Sequence, residues 1–198
     1  MAPDRLGEVL DATYECLARY GVKRTTMEDI AAAAGLSRSA LYQYVRNKDD
    51  AFRRLAARFH DRALAIARAA VETPEPATVQ IAAVLTAKLN LVLDLAGGSP
   101  HTVELLDAKG RLFADICQQF SDEIRALLVG LFARTGSTSA TPEEAADICL
   151  ALIVGLEGRP DAAHLLPLAM AAVLRGLLLE PEPVTKAGRP APQPVSAS

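Results

Sequence analysis

The stretch from Thr25 to Asp50 constrains the fold most, because it contains two short helical patterns separated by a glycine turn and followed at once by a third helix start. Gly35 lies in the turn, and Ser37 is placed to cap the next helix two residues later, so only a sharp turn fits between the helices. The spacing predicts a helix-turn-helix over about residues 25–44, a layout that is typical of modules that read DNA.

The residues around this stretch predict the helices that brace it. Apolar side chains recur at helical spacing from Asp4 to Tyr20, and Gly21 follows as a natural stop. Thr25 and Glu28 have the spacing of a capping box at the start of the second helix. Asn47 is placed to cap a long fourth helix over residues 48–71.

Composition favours an all-α fold. Hydrophobic residues make up 51% of the 198 residues, with 5% aromatic, and the apolar content is dominated by Ala and Leu. Further helices are predicted over 79–95, 101–134 with a division near Lys109, 142–157 and 166–179. We therefore expect an N-terminal three-helix bundle with the helix-turn-helix, a larger helical domain and a disordered, proline-rich tail, over residues 2–62, 63–180 and 181–198.

The charge is distributed unevenly along the chain. The net charge is −3, but residues 19–58 contain nine Lys or Arg and four acids, a local charge of +5 that leaves −8 for the remainder. A basic module on an acidic body predicts a protein that contacts DNA with one end only.

Several other classes of protein are disfavoured. Cys16, Cys117 and Cys149 are far apart in apolar helical patterns, so we expect reduced thiols and neither disulfides nor a metal site. Residues 162–179 approach the length of a membrane span, but Pro167 and Arg175 favour a buried helix in a core or an interface. The N-terminal residues do not form a signal-peptide pattern, so we expect a cytoplasmic protein without membrane contact.

The third helix carries the side chains expected to contact DNA. Arg38 has the geometry for guanine and Gln43 for adenine, with Ser39 and Ala40 as smaller base contacts. Phosphates, which set position and not sequence, suit the remaining candidates. These are Thr25, Thr26, Tyr42, Tyr44 and Lys48.

The ordered pattern T-T-x-x-D-I-A-x-x-A-G-L-S-x-x-x-L-Y-x-Y-V-x-N-K-D resembles the N-terminal signature of the TetR family of bacterial transcriptional regulators. Val45 stands where many members have Phe, and no Gly lies in the recognition helix. The resemblance implies a homodimer that pairs through its last two helices, a ligand cavity within residues 63–180, and ligand-controlled release of DNA. We therefore predict a repressor that binds a palindromic operator and is released by a small-molecule effector.

Polar or bulky groups among the apolar C-terminal helices are the candidates for effector contacts, and the many apolar residues around them favour a hydrophobic or amphipathic effector. The candidates are Asn90, Asp94, His101, Phe113, Cys117, Phe120 and Met170. The alternative is a helical small-molecule enzyme or carrier with a vestigial DNA-binding module. His101 and Glu104 have a spacing that suits a metal or acid-base work, but no third group joins them, so we expect neither an enzyme nor a cofactor.

Overall fold

A computed structural model describes residues 4–97, 101, 103–135, 139–157, 159 and 161–178. Within these residues the chain is helical and has no strand, which confirms the all-α prediction. The predicted disordered tail, residues 181–198, lies outside the described residues. The helices are α1 Arg5–Arg24, α2 Met27–Ala33, α3 Arg38–Leu41, α4 Lys48–Val71, α5 Ala77–Gly97, α6 Val103–Asp107, α7 Lys109–Leu112, α8 Ala114–Thr135, α9 Pro142–Leu156 and α10 Ala162–Leu178.

The first three helices and the start of α4 enclose a small core of their own. Its fully buried members include Val9, Ile30 and Leu41, with Val45 after α3 and Ala51 in α4. Ser37 caps α3 by accepting a hydrogen bond from Ala40 N at 3.2 Å, and Gly35 takes a positive φ of 63° in the turn. The predicted helix-turn-helix is therefore present.

The turn between α1 and α2 differs from the expected one in the residue that caps α2. Gly21 interrupts α1 with φ 76° and ψ 171°, as its role as a stop predicts. The capping prediction for Thr25 is wrong, since Thr26 caps α2 and forms the capping box with Asp29. Thr26 Oγ1 accepts from Asp29 N at 3.2 Å, and Thr26 N donates to Asp29 Oδ2 at 2.9 Å.

The third helix is shorter than expected. We predicted helix from Arg38 to Tyr44, but regular α-helix ends at Leu41. Residues 42–45 continue as turns, in which Gln43 N donates to Ala40 O at 3.1 Å and Tyr44 N to Leu41 O at 2.9 Å. The tighter turn places Val45 in the core, two residues before Asn47 caps α4.

Helix α4 begins and ends at the predicted residues and joins the two parts of the molecule. Its first turns contribute Ala51 to the N-terminal core, whereas Phe52, Leu55 and later residues enter the larger core of the C-terminal helices. It packs along α5 and α8. Any shift of α4 must therefore be accommodated in both cores, while the predicted domain ranges themselves stay a prediction.

The C-terminal helices form the larger core. Helix α8 packs on α4, α5 and α9, and α10 packs on α9 and α5. Among the described residues one segment, Ala77–Asp94 of α5, has the length and mean hydropathy of a membrane span, 1.3, and 44% of it is buried within the protein. Helix α10 begins at Ala162, four residues before the predicted start, and contains Pro167.

Candidate DNA interface and effector cavity

The polar candidates of the helix-turn-helix differ in how far they are exposed. Thr26, Arg38, Ser39, Tyr42 and Gln43 are exposed on and beside α3. Half-buried positions are occupied by Ala40, Tyr44 and Lys48. The short helix thus presents a polar surface, while Leu41 beneath it is completely buried.

Arg38 is held above this surface by two neighbours. Its Nη1 lies 2.5 Å from Glu28 Oε1, and its Nη2 donates to the Tyr42 hydroxyl at 3.4 Å. The guanidinium also lies 5.8 Å from the centre of the Tyr42 ring. Hydrogen bonding to Tyr42 and the Glu28 charge raise the pKa of Arg38, which keeps it charged. A contact to guanine requires Arg38 to exchange Glu28 for the base.

Three of the expected phosphate contacts, Thr25, Thr26 and Lys48, are engaged within the protein. The Thr26 hydroxyl donates to Asp29 Oδ2 at 2.7 Å. Thr25 is 1% exposed, and its hydroxyl donates to Gly21 O at 2.7 Å, so this side chain braces the end of α1. Lys48 donates from Nζ to Lys23 O at 3.1 Å. Its ammonium retains two further protons and lies where α1 and α4 meet.

Asp50 anchors the start of α4 beneath the basic surface. Burial opposes its ionisation, but hydrogen bonds from Arg46 N at 2.9 Å, from the Arg46 side chain at 3.1 Å and from Arg54 Nε at 3.1 Å outweigh it. The pKa of Asp50 is therefore lowered to about 2. Two of the nine basic residues of the module thus neutralise one buried carboxylate.

The C-terminal helices enclose a small cavity around His60 of α4. Its volume is about 70 Å³, and apolar walls come from Phe59, Phe113, Phe120 and Leu105. The rings of Phe113 and Phe120 meet the His60 ring edge to face, at 6.2 and 5.1 Å between centres. An occupant of this cavity would touch α4 directly.

The hydrogen bonds of His60 define its tautomer. Nδ1 lies 2.7 Å from Ala56 O and must donate, which leaves Nε2 to accept from Cys117 Sγ at 3.4 Å. Burial lowers the pKa of His60, the Ala56 carbonyl opposes this, and Lys88 adds to the lowering. Burial also raises the pKa of Cys117, so the pair consists of a neutral imidazole and a thiol.

The effector candidates do not form one site. Phe113, Cys117 and Phe120 line the His60 cavity, whereas Asn90 and Met170 line an open groove of about 720 Å³ between α5 and α10. Residues of α5 line both the cavity and the groove, and the assignment of these candidates to an effector stays a prediction. The two other candidates are elsewhere, with Asp94 exposed in a cleft beside α4 and His101 next to Glu104, at 3.4 Å from Nδ1 to Oε1.

Three residues that line the His60 cavity were not predicted from the sequence. They are His60, Lys88 and Glu157, none of which is among the predicted effector contacts. Lys88 is the one basic residue of α5, on an otherwise apolar helix, which is the signal that could have found it. In the part of the chain that the structure describes, no three His, Cys, Asp or Glu residues are grouped to hold a metal ion.

A helix-turn-helix with an exposed polar third helix, joined by a long helix to an all-helical cavity-bearing body, defines a class of DNA-binding regulator. The family model for bacterial regulatory proteins of the tetR family matches residues 9–55, so the N-terminal module has the sequence of that family. A curated relative, an HTH-type transcriptional repressor from Mycobacterium tuberculosis, is 35% identical over 63 residues. That match spans 32% of this chain and 34% of the repressor, about a third of its length.

Solved structures resemble the whole fold. A regulator of the TetR/AcrR family from Thermobifida fusca superposes with a TM-score of 0.66 and 20% identity, over 88% of this chain and 98% of that one. The regulator FadR of Bacillus subtilis, solved in complex with stearoyl-CoA, superposes with a TM-score of 0.64 and 17% identity, over 86% and 98% of the two chains. At these identities the likeness concerns the fold.

Proposed function

We propose that the protein is a cytoplasmic, dimeric transcriptional repressor that binds a palindromic DNA operator and is released by a small-molecule effector. The single observation that carries this is the exposed surface of α3 and of the turn that follows it, where Arg38, Ser39 and Gln43 are exposed and Leu41 beneath them is buried. A helix of this kind fits the major groove, and an HTH-type transcriptional repressor is 35% identical to this chain over 63 residues.

In this proposal Arg38 and Gln43 read bases, with Ser39 and Ala40 beside them. Thr26, Tyr42, Tyr44 and Lys48 bind phosphates, and the backbone N–H groups at the start of α2 add to them. Thr25 acts by holding the end of α1, because both its N–H and its hydroxyl donate to Gly21 O. Residues 2–62 form the DNA-binding domain and residues 63–180 the ligand-binding and dimerisation domain.

The second copy is supported by apolar side chains left exposed on the last two helices. Val154 of α9 is 61% exposed and Leu168 of α10 58% exposed, and Ile148 lies on the same helix as Val154. Burying such side chains against a second copy is favourable, and twofold symmetry presents two α3 helices to a palindrome.

Effector control is supported by the position of α4. His60 and Phe59 line the cavity at the middle of α4, and Ala51 near its start lies in the same core as Leu41 of α3. An effector that binds the cavity better when α4 is shifted would favour the form that does not bind DNA. FadR, which was solved with stearoyl-CoA, is an example of this fold with an amphipathic ligand.

An electrophoretic mobility shift with a pool of random-sequence duplexes tests the DNA-binding half of the proposal. We expect a retarded complex at low salt that weakens as salt is added, since phosphate contacts release counterions. Absence of any complex at low salt would contradict DNA binding. The alternative of a helical small-molecule enzyme or carrier would then remain.

A further inference from the structure

The wall of the His60 cavity contains a buried ion pair. Lys88 Nζ of α5 lies 2.6 Å from Glu157 Oε1, just past the end of α9. The Lys88 side chain is 9% exposed and that of Glu157 is 22% exposed. A buried pair is often no more stabilising than apolar side chains of similar size, because both charges lose their hydration.

The pair is also asymmetric. The ammonium is confined on an apolar helix and must have an anionic partner, whereas the carboxylate lies on the more open side at a helix end. Glu157 can therefore turn to water more easily than Lys88 can. A ligand carboxylate that entered the cavity could therefore replace Glu157 as the partner of Lys88, and Lys88 would not need to move.

The remaining charges of the cavity favour an anion. Lys109 also lines it, so two ammonium groups face one carboxylate. His60 is neutral with its Nδ1 proton directed at Ala56 O, and it offers no charge to a ligand. The cavity thus carries a surplus positive charge next to apolar walls.

We infer that this cavity binds a small amphipathic monocarboxylate, whose carboxylate replaces Glu157 at Lys88 and whose chain or ring packs against Phe113 and Phe120. The volume of about 70 Å³ is well below that of pockets for drug-sized ligands, which limits the occupant to a small molecule with a short apolar part. This inference rests on the proposed function in one respect, that the occupant would be the effector.

Hexanoate is the probe, with hexanamide and hexylamine as neutral and cationic matches of the same length. Calorimetric titration of the full chain should give a dissociation constant about tenfold or more lower for hexanoate than for hexanamide, the range of a charge-assisted hydrogen bond. Hexylamine should bind more weakly than hexanamide. Equal affinity for hexanoate and hexanamide would overturn the inference.

Two variants locate the site. Glu157→Gln removes the competing carboxylate, so hexanoate should bind more tightly and raise the melting temperature by more than in the unaltered chain. The double variant Lys88→Met with Glu157→Gln removes both charges, remains free of an unpaired buried charge, and should lose the preference for carboxylate. Retention of that preference by the folded double variant would contradict binding at Lys88.

Asp147→Asn is the matched control, because it breaks the Arg125–Asp147 ion pair between α8 and α9, with Nε 2.6 Å from Oδ1, on the outer surface. It should leave hexanoate affinity unchanged. Calorimetry involves no DNA, so carboxylate binding supports the inference whatever the mobility shift shows. A chain that binds duplexes but no hexanoate would contradict the inference and leave the proposed DNA-binding function standing.

Discussion

Glu104 of α6 lies directly against Gly21 of α1, with its carboxylate where a Cβ on residue 21 would be. The same carboxylate accepts from Lys23 N at 3.5 Å. Gly21 is therefore constrained twice, by a backbone conformation with φ 76° and ψ 171° that is essentially restricted to glycine, and by the neighbour that fills the vacant space. This contact joins the base of the DNA-binding module to the C-terminal helices.

Gly21→Ala should lower the free energy of unfolding by about 3 kcal/mol, mainly because the backbone conformation is strained for alanine, since the Glu104 carboxylate ends a flexible side chain that can move away. Urea denaturation measures it. Gly35→Ala is the control, since its φ of 63° is also positive but a Cβ there meets no atom within 4 Å. It should cost about 1 kcal/mol. Equal losses for the two variants would contradict the assignment of a glycine-restricted backbone conformation to Gly21.

Asp50→Asn should lower the free energy of unfolding at pH 7 by about 2 kcal/mol, the equivalent of lowering a pKa from 3.8 to about 2. Because the folded-state pKa is lowered, this stabilisation is complete above pH 3.8 and is lost as pH falls through about 2. The difference between the two proteins should therefore shrink between pH 4 and pH 2 in denaturant titrations.

Asp49→Asn is the companion measurement to Asp50→Asn. Asp49 lies in the same turn, and its ion pair with Arg111, at 2.6 Å from Nη1 to Oδ2, is largely exposed. Exposed pairs contribute little, so Asp49→Asn should change stability much less. A larger loss for Asp49→Asn than for Asp50→Asn would contradict the assigned role of burial.

Glu28→Gln should strengthen binding to every duplex, because it frees Arg38 from its ion pair and removes a negative charge near the phosphates. Fluorescence anisotropy with specific and unrelated duplexes measures both affinities.

Arg38→Ala should weaken binding and relax the preference at one base pair, a loss of about 1–3 kcal/mol of discrimination. Uniform loss over all sequences for Arg38→Ala would contradict its role as a base reader.

Lys48→Ala and Tyr42→Ala should weaken binding to all sequences alike, and Lys48→Ala should reduce the salt slope by about one. Lys48 also supports Lys23 O, so the melting temperature of the variant is measured alongside. A change of sequence preference in Lys48→Ala would show that it does more than bind phosphate.

Leu168→Glu should convert the proposed dimer to a monomer, since it places a charge in the apolar face of α10. Sedimentation velocity distinguishes the two states. Ile66→Glu is the control on α4, where the side chain is 53% exposed but far from α10 in sequence. If the Leu168→Glu variant remains dimeric and the Ile66→Glu variant becomes monomeric, the dimer interface does not include this face of α10.

Local chemistry explains which parts of the fold could be predicted. Asn47 caps α4 and the proline-containing turn after Val71 ends it, so its bounds were predictable to the residue. The capping box was ambiguous, because Thr25 with Glu28 and Thr26 with Asp29 have the same spacing. Burial of Thr25 against Cys16 O and Gly21 O decides for Thr26, and that depends on how α1 and α2 pack.

The His60 cavity could not be predicted from the sequence alone. Periodicity identifies the apolar faces of α5 and α8, but which faces meet depends on crossing angles that a single sequence does not reveal. Asn90 and Phe113 were grouped by residue type and lie in separate cavities. Lys88 and Glu157 are far apart in the chain, so their pairing could not be seen before the fold was known.

Selection from a pool of random duplexes at low salt tests the central claim, that α3 reads operator DNA as part of a dimer, most directly. We expect enrichment of a palindrome whose half-sites lie about one helical turn apart, and loss of preference at one symmetric pair of positions with Arg38→Ala. Recovery of no common sequence, or of a sequence without twofold symmetry, would contradict it.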